Sequence, residues 1–176
     1  MSRYALITGA SSGIGEELAR VFAREGWNLI IVARRIDRLN DLANELTAKF
    51  NIEAIPLQSD LSDSNHVNEL YQTIIQKDIK IEVLVNNAGF GANGAFREID
   101  MQKQENMINL NILALTKLTH LLLPGMVSRG KGAVLNIAST AAFQPGPFMA
   151  VYYASKAYVL SFSEAINNEL KGTGVS

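Results

Sequence analysis

The chain contains no cysteine, which excludes a disulfide framework and any thiolate metal site. Its two histidines, His66 and His120, lie far apart in sequence, so no metal site is expected and each reads as a buried or solvated structural residue. Neither charge sign is in excess. Sixteen basic residues against 17 acidic leave a net charge of −1, without the basic cluster that nucleic-acid binding requires. The beginning of the chain has only a short apolar run, Tyr4–Thr8, too short for the core of a signal peptide or for a membrane span. A cytoplasmic protein is expected, with neither membrane nor nucleic acid as partner. Internal repeats, low-complexity segments and linkers are also missing, so residues 1–176 read as one continuous domain.

What is present is enough for a sizeable core: 176 residues, 48% of them hydrophobic. Short apolar and β-branched runs alternate with longer segments of helical period, the pattern of βαβ units around a parallel sheet. Strands are expected at Tyr4–Thr8, Asn28–Ala33, Ile52–Leu57, Val83–Asn86 and Ala133–Ile137. Helices are expected at Gly13–Glu25, Ile36–Phe50, Asp63–Lys77, Met101–Val127 and Tyr152–Lys171. Strands as apolar as "NLIIVA" and "GAVLNIA" call for helices on both faces, and hence a three-layer α/β/α arrangement.

The first strand runs directly into "TGASSGIG", which places Gly9, Gly13 and Gly15 across a strand-to-helix turn. Glycines there let backbone N–H groups approach a pyrophosphate, whose charge then sits at the positive end of the next helix. The spacing is not the common G-x-G-x-x-G, and a tight turn with a helix cap is the plainer alternative. Near the other end, "YYASK" sets Tyr152 one helical turn before Lys156, with Tyr153 beside it. In a helix, residues four apart share a face at a Cβ separation of about 5–6 Å, whereas Tyr153 points roughly 100° away. Taken alone, the pair is equally compatible with one aromatic and one solvated cation on a helix face.

Taken together, "TGASSGIG", "NNAG" at Asn86–Gly89, Ser139, and Tyr152 with Lys156 resemble the short-chain dehydrogenase/reductase family, in order and spacing along essentially the whole chain. The resemblance implies a Rossmann-like doubly wound parallel sheet and a nicotinamide cofactor. It implies Tyr152 as the proton donor or acceptor, Ser139 as the group holding the substrate oxygen, and Lys156 as a cation that also grips the ribose. Asn111 in "NLNILA" is implied as the holder of a relay water. An asparagine that merely satisfies a backbone carbonyl is the alternative there, and Asn109 is a neighbouring competitor. Around the dinucleotide the family pattern implies Gly9, Ser11, Ser12, Gly13, Ile14 and Gly15 at the phosphates. Asp60 and Leu61 are implied beside the adenine, and Asn87, Ala88 and Gly89 along the adenosine and ribose. Asn86 and Asn87 read equally well as ties between neighbouring strands.

The chemistry accounts for the residue types. A free tyrosine has a pKa near 10, about 3 units above neutral, or roughly 4 kcal/mol. An ammonium about 4 Å away, at an effective dielectric of about 20, supplies that order of stabilisation to a phenolate. Where an acidic residue would accept hydrogen bonds from a ribose 2′-OH, the second strand ends in Ala33, followed by Arg34 and Arg35. Guanidinium suits a 2′-phosphate, so NADP(H) is expected over NAD(H); for Arg35 a solvated helix start is the alternative.

Phe90, Phe96, Phe143, Pro145, Phe148 and Met149 lie after the fourth and fifth strands and point to a hydrophobic carbonyl or alcohol substrate, or else simply to packing. The segment Met101–Val127 is apolar around most of its circumference, so a homo-oligomer through it and the 152–171 helix is expected, burial inside the subunit being the alternative. Members of the resembled family continue into a sixth strand and a substrate lid, whereas this sequence reads "GTGVS" at its end. The sheet is therefore expected to lack its last strand or strands, leaving strand five as an open edge. An oxidoreductase and a nucleotide-binding fragment without turnover, a sensor or scaffold, are both compatible with that.

Overall fold

In the computed structural model, which describes residues 3–176, five strands form one parallel sheet in the order β3-β2-β1-β4-β5. They are β1 (Tyr4–Thr8), β2 (Asn28–Ala33), β3 (Ala54–Gln58), β4 (Ile81–Asn86) and β5 (Ala133–Asn136). Helices α1 (Gly13–Arg24) and α2 (Ile36–Phe50) cover one face. The other is covered by α3 (Ser64–Gln76), α5 (Leu115–Arg129) and the end of α6 (Ala150–Glu169). The short α4 (Met101–Ile108) leads into α5 through a π-helical stretch, Asn109–Ala114.

Strand side chains alternate between two separate cores, as the two-residue period of a strand requires. Ala5, Ile7, Leu29, Ile31 and Val85 pack against Ala19, Ala23, Leu39 and Leu46 of α1 and α2. Leu6, Ile30, Val32 and Leu84 pack against Leu70, Ile74, Leu118 and Met126 of α3 and α5. These strand positions have no exposed face left, which is why their sequences are apolar throughout. Burying one Leu or Ile in this way contributes on the order of 2 kcal/mol. Strand order reverses between β1 and β4, so a crevice opens beyond their carboxyl ends, where such sheets bind ligands.

Several expectations shift. The third strand starts two residues later than Ile52, because Asn51 ends α2 in a left-handed conformation (φ 54°) and the chain straightens only after it. The long helix expected over Met101–Val127 is three segments. The π-helical stretch turns Asn111 inward to hydrogen bonds with the backbone of Phe90, and Pro124 within α5 supplies no N–H. The run Met101–Arg129 is long and apolar enough to cross a membrane by length and composition, yet Met107, Leu115, Leu118, Leu122 and Met126 are buried in this fold. The last helix begins at Ala150, before Tyr152. Two short 3₁₀ turns, Phe96–Glu98 and Thr140–Phe143, had no periodic signal. The outer edge of β5 is not wholly open: Val175 bridges Gly132 in parallel, and the Val134 N–H donates to Ser176 O at 2.8 Å.

Candidate active site

The glycine turn after β1 is held to the residues just past the end of β4. Asn87 Nδ2 donates to Thr8 O at 2.9 Å and Gly9 O at 3.3 Å, and Thr8 Oγ1 accepts from the N–H groups of Asn87 and Ala88 at 3.0 Å each. This contact leaves no room at Gly15, where a Cβ would lie 2.4 Å from Gly9 O and from Asn87 Nδ2. A Gly15→Ala variant is expected to lose about 1–3 kcal/mol in denaturant melts, because the obstruction is backbone and cannot swing away. Gly13 is the opposite case. It has φ +60° and nothing within 4 Å of a built Cβ, so it leaves an open cradle at the head of α1. Ser12, the residue capping that helix, makes no side-chain cap bond, and the first-turn N–H groups of α1 are left for another acceptor.

The two arginines that follow β2 behave differently. Arg35 reaches back over the turn, donating to Ser12 Oγ at 2.8 Å and to Ser11 O and Ser11 Oγ at 3.1 Å. Arg34 is 74% exposed at its side chain and stands 3.9 Å from Asp60 Oδ2, an ion pair that contributes little to stability in water. Burial alone would raise the Asp60 carboxyl, but the N–H and hydroxyl of Ser62, with Arg34 and His66 nearby, outweigh it and hold the group below the usual carboxylate range.

At the other end, Ser139 caps the 3₁₀ turn after β5; its Oγ accepts the Ala141 N–H at 3.2 Å. A hydroxyl that already accepts in this way still has its own hydrogen to donate. Tyr152 and Tyr153 meet edge to face at 6.2 Å. The Tyr153 ring covers Gly146, where a Cβ would lie 2.2 Å from it, so Tyr153 serves packing. Tyr152 instead lies beside Gly91, with 3.2 Å between its ring and a Cβ built there. Lys156 is only 7% exposed. Its Nζ donates to Ile137 O at 2.7 Å and lies 5.9 Å from the Tyr152 ring centroid, and burial pulls its pKa below the ordinary lysine value.

A single cleft of about 900 Å³ runs between these ends, from Gly9, Ser11, Ser12 and Ile14 past Arg34, Arg35, Asp60 and Leu61 to Ser139, Tyr152 and Lys156. Ala88 and Gly89 line it, and Asn87 does so while its amide holds the glycine turn. Gly13 and Gly15 shape its wall without lining it, and Asn111 lies buried behind it. Asn111 donates to Phe90 O at 3.0 Å and accepts the Phe90 N–H at 3.1 Å. It therefore makes the backbone bond that the sequence reading held as the alternative to a relay. Asn86 makes the expected interstrand tie, donating to Thr119 Oγ1 and Asn136 Oδ1.

Of the apolar residues expected at a substrate site, Phe90 and Met149 line the cleft. Phe96 and Phe148 border a small hollow beside Tyr152, and Phe143 is exposed away from both. Sequence reasoning missed Ser59, Ile137 and Ala138 in the wall; their place just past the carboxyl ends of strands was the available signal.

Residues 3–176 match the short chain dehydrogenase family. The chain belongs to this family of oxidoreductases. Among curated short-chain dehydrogenase relatives it is 34% identical over 181 residues to very-long-chain 3-oxoacyl-CoA reductase of Mus musculus, covering 99% of this chain. It spans 57% of that protein's length. Two solved structures show the same fold. The bulky-bulky ketone specific alcohol dehydrogenase from Comamonas testosteroni superposes with a TM-score of 0.92 at 39% identity, over 98% of this chain and 69% of that one. A short-chain dehydrogenase from Sphingobium yanoikuyae in complex with NADPH gives 0.93 at 39% identity, over 98% and 67%.

Proposed function

We propose that the chain forms the cofactor cleft and catalytic residues of an NADP(H)-dependent oxidoreductase that interconverts a hydrophobic carbonyl compound and a secondary alcohol. One observation carries the reading: a single cleft joins the glycine turn and Arg35 to Ser139, Tyr152 and Lys156. The open cradle at Gly13 and the uncapped head of α1 suit a pyrophosphate. Ser11, Ser12 and Arg35 present two hydroxyls and a guanidinium close together, the donor set that a 2′-phosphate calls for, and Ala33 adds no opposing carboxylate. The NADPH bound by the Sphingobium relative supports the same choice.

Once bound, a nicotinamide supplies or accepts hydride at the substrate carbon. The remaining chemistry falls to the protein. Ser139 donates its free hydroxyl hydrogen to the substrate oxygen and holds it beside the phenol. Tyr152 Oη gives that oxygen a proton on reduction, or takes it on oxidation. Lys156 spends one of its three N–H donors on Ile137 O and has two left, for a ribose hydroxyl and for the charge that develops on the phenol. In this reading Asn111 holds the wall of the cleft through Phe90.

The Comamonas relative is a bulky-bulky ketone specific alcohol dehydrogenase and the mouse relative a very-long-chain 3-oxoacyl-CoA reductase, which agrees with Phe90 and Met149 beside Tyr152. Exposed Ile108, Leu113, Val127 and Tyr158 on the helices around α5 and α6 support a homo-oligomer, and a monomeric mass by light scattering would overturn it. A cytoplasmic location completes the proposal.

The deciding experiment mixes the protein with NADPH or NADH and a panel of aryl and alkyl ketones, following cofactor binding and loss of absorbance at 340 nm. Turnover with a clear NADPH preference is expected, and Arg35→Ala should reduce that preference about tenfold or more. Equal catalytic efficiency with NADH would reject the arginine argument. Tight binding without oxidation would favour a nucleotide-binding module without turnover.

A further inference from the structure

Ser155 lies between Tyr152 and Lys156 in the chain and is completely buried, at 0% exposure, yet it has no part in the proton transfer or cofactor contacts above. Its Oγ donates to the carbonyl of Tyr152 at 2.7 Å and accepts from Asn111 Nδ2 at 3.0 Å. A serine bonding back to its own helix is ordinary and slightly unfavourable. The second bond is different, because it crosses to another element. The other hydrogen of Asn111 Nδ2 goes to Phe90 O at 3.0 Å, and Asn111 Oδ1 accepts the Phe90 N–H at 3.1 Å. Both donors of the amide are thus committed, one to the loop after β4 and one to Ser155.

The result is an unbroken chain from Phe90 through Asn111 in the π-helical stretch to Ser155 and the peptide oxygen of Tyr152. In an α-helix that oxygen also accepts the N–H of the residue four later, here Lys156. Ser155 therefore bonds to a peptide oxygen of the helical turn that carries both catalytic side chains and fixes that turn relative to the cleft wall. Next to Phe90 in that wall stands Gly89, where a Cβ would lie 3.0 Å from Asn111 Oδ1 and 3.8 Å from Lys156 Nζ. The spacing between the wall and the Tyr152–Lys156 turn is thereby set by three hydrogen bonds of the Asn111 amide and one donated by the Ser155 hydroxyl.

We propose that Ser155 is a positioning residue for catalysis: with Asn111 it locks the Tyr152–Lys156 turn of α6 to the backbone at Phe90. The proposal rests on the oxidoreductase reading for its kinetic consequence, but not for its structural one. Removing the hydroxyl orphans a buried amide hydrogen of Asn111 and frees the helix to drift against the wall. Displacements of an ångström at a reacting group cost about a hundredfold in rate.

The test is Ser155→Ala, with steady-state kinetics on a turned-over ketone, NADPH titration by fluorescence, and amide hydrogen exchange read at Phe90. The expected result is kcat lower by about 10- to 100-fold, an NADPH Kd within about twofold of wild type, and faster exchange at Phe90. Unchanged kcat and exchange would overturn the proposal, as would kcat and NADPH affinity falling in proportion, which is general loosening. Should the alanine variant not fold, Ser155→Cys, of similar volume with a weak donor, is expected to fold with intermediate kcat and exchange; wild-type values in it would overturn the proposal. If the wild-type protein shows no turnover with any ketone, the oxidoreductase reading fails. Phe90 exchange in the variant then still decides the lock: faster exchange supports it and unchanged exchange overturns it.

Discussion

Tyr152→Phe is expected to lower kcat/KM by about a thousandfold while NADPH affinity stays within a few-fold of wild type. The substitution deletes one oxygen and keeps the ring against Gly91 and Tyr153, so packing barely changes. What disappears is the proton donor proposed for the substrate oxygen. Tyr153→Phe is the matched control. Its ring lies over Gly146 and its hydroxyl has no assigned role, so activity should remain within about twofold. The comparison distinguishes two adjacent tyrosines that a spacing rule alone treats nearly alike. If Tyr152→Phe retained more than about a tenth of wild-type activity, the proton-transfer assignment would be wrong.

Lys156→Met is expected to reduce turnover by at least about a hundredfold and also to change how stability depends on pH. The ammonium lies 5.9 Å from the centre of the Tyr152 ring, so the substitution takes a positive charge away from the phenol proposed to exchange the proton. The same ammonium is buried. Its bond to Ile137 O favours the charged form, but burial prevails and the folded-state pKa lies below the ordinary value.

A lysine with a depressed folded pKa makes the native state bind fewer protons than the unfolded one. Stability therefore rises with pH across the window between the folded pKa and the unfolded value of 10.5. Wild type should thus gain stability relative to Lys156→Met as pH is raised from neutrality towards 10.5, in chemical melts at a series of pH values. A wild-type-minus-variant stability difference that stayed constant or fell with pH would mean that the ammonium is not held in a desolvated site.

The legibility of this protein divides along a physical line. β1 and β2 were readable to the residue, because a strand buried on both faces needs an uninterrupted apolar run and the turns after it need glycine or polar residues. The glycine turn was readable for the same kind of reason, since its constraint is local: Gly15 cannot carry a Cβ against Gly9 O. The break in the helix over Met101–Val127 was not readable. It carries Asn111 to hydrogen bonds with Phe90, which is distant in sequence, and nothing in the periodicity of "NLNILALTKL" announces that partner. For Asn87 and Asn111 the sequence left a structural tie open beside a role in the site, and only folding brings near them the backbone groups that both amides bond.

By itself, the sequence determined the layered α/β architecture, the glycine turn after the first strand, the absence of thiolates from these residues, and the helical face shared by Tyr152 and Lys156. Each follows from periodicity, composition or a spacing within one element. Only the tertiary structure decided where the lysine points, which arginine turns back to the glycine loop, and what Ser155 and Asn111 hold together. Those outcomes depend on distances between elements, and such distances come from how two cores pack on one sheet rather than from any stretch of chain read alone.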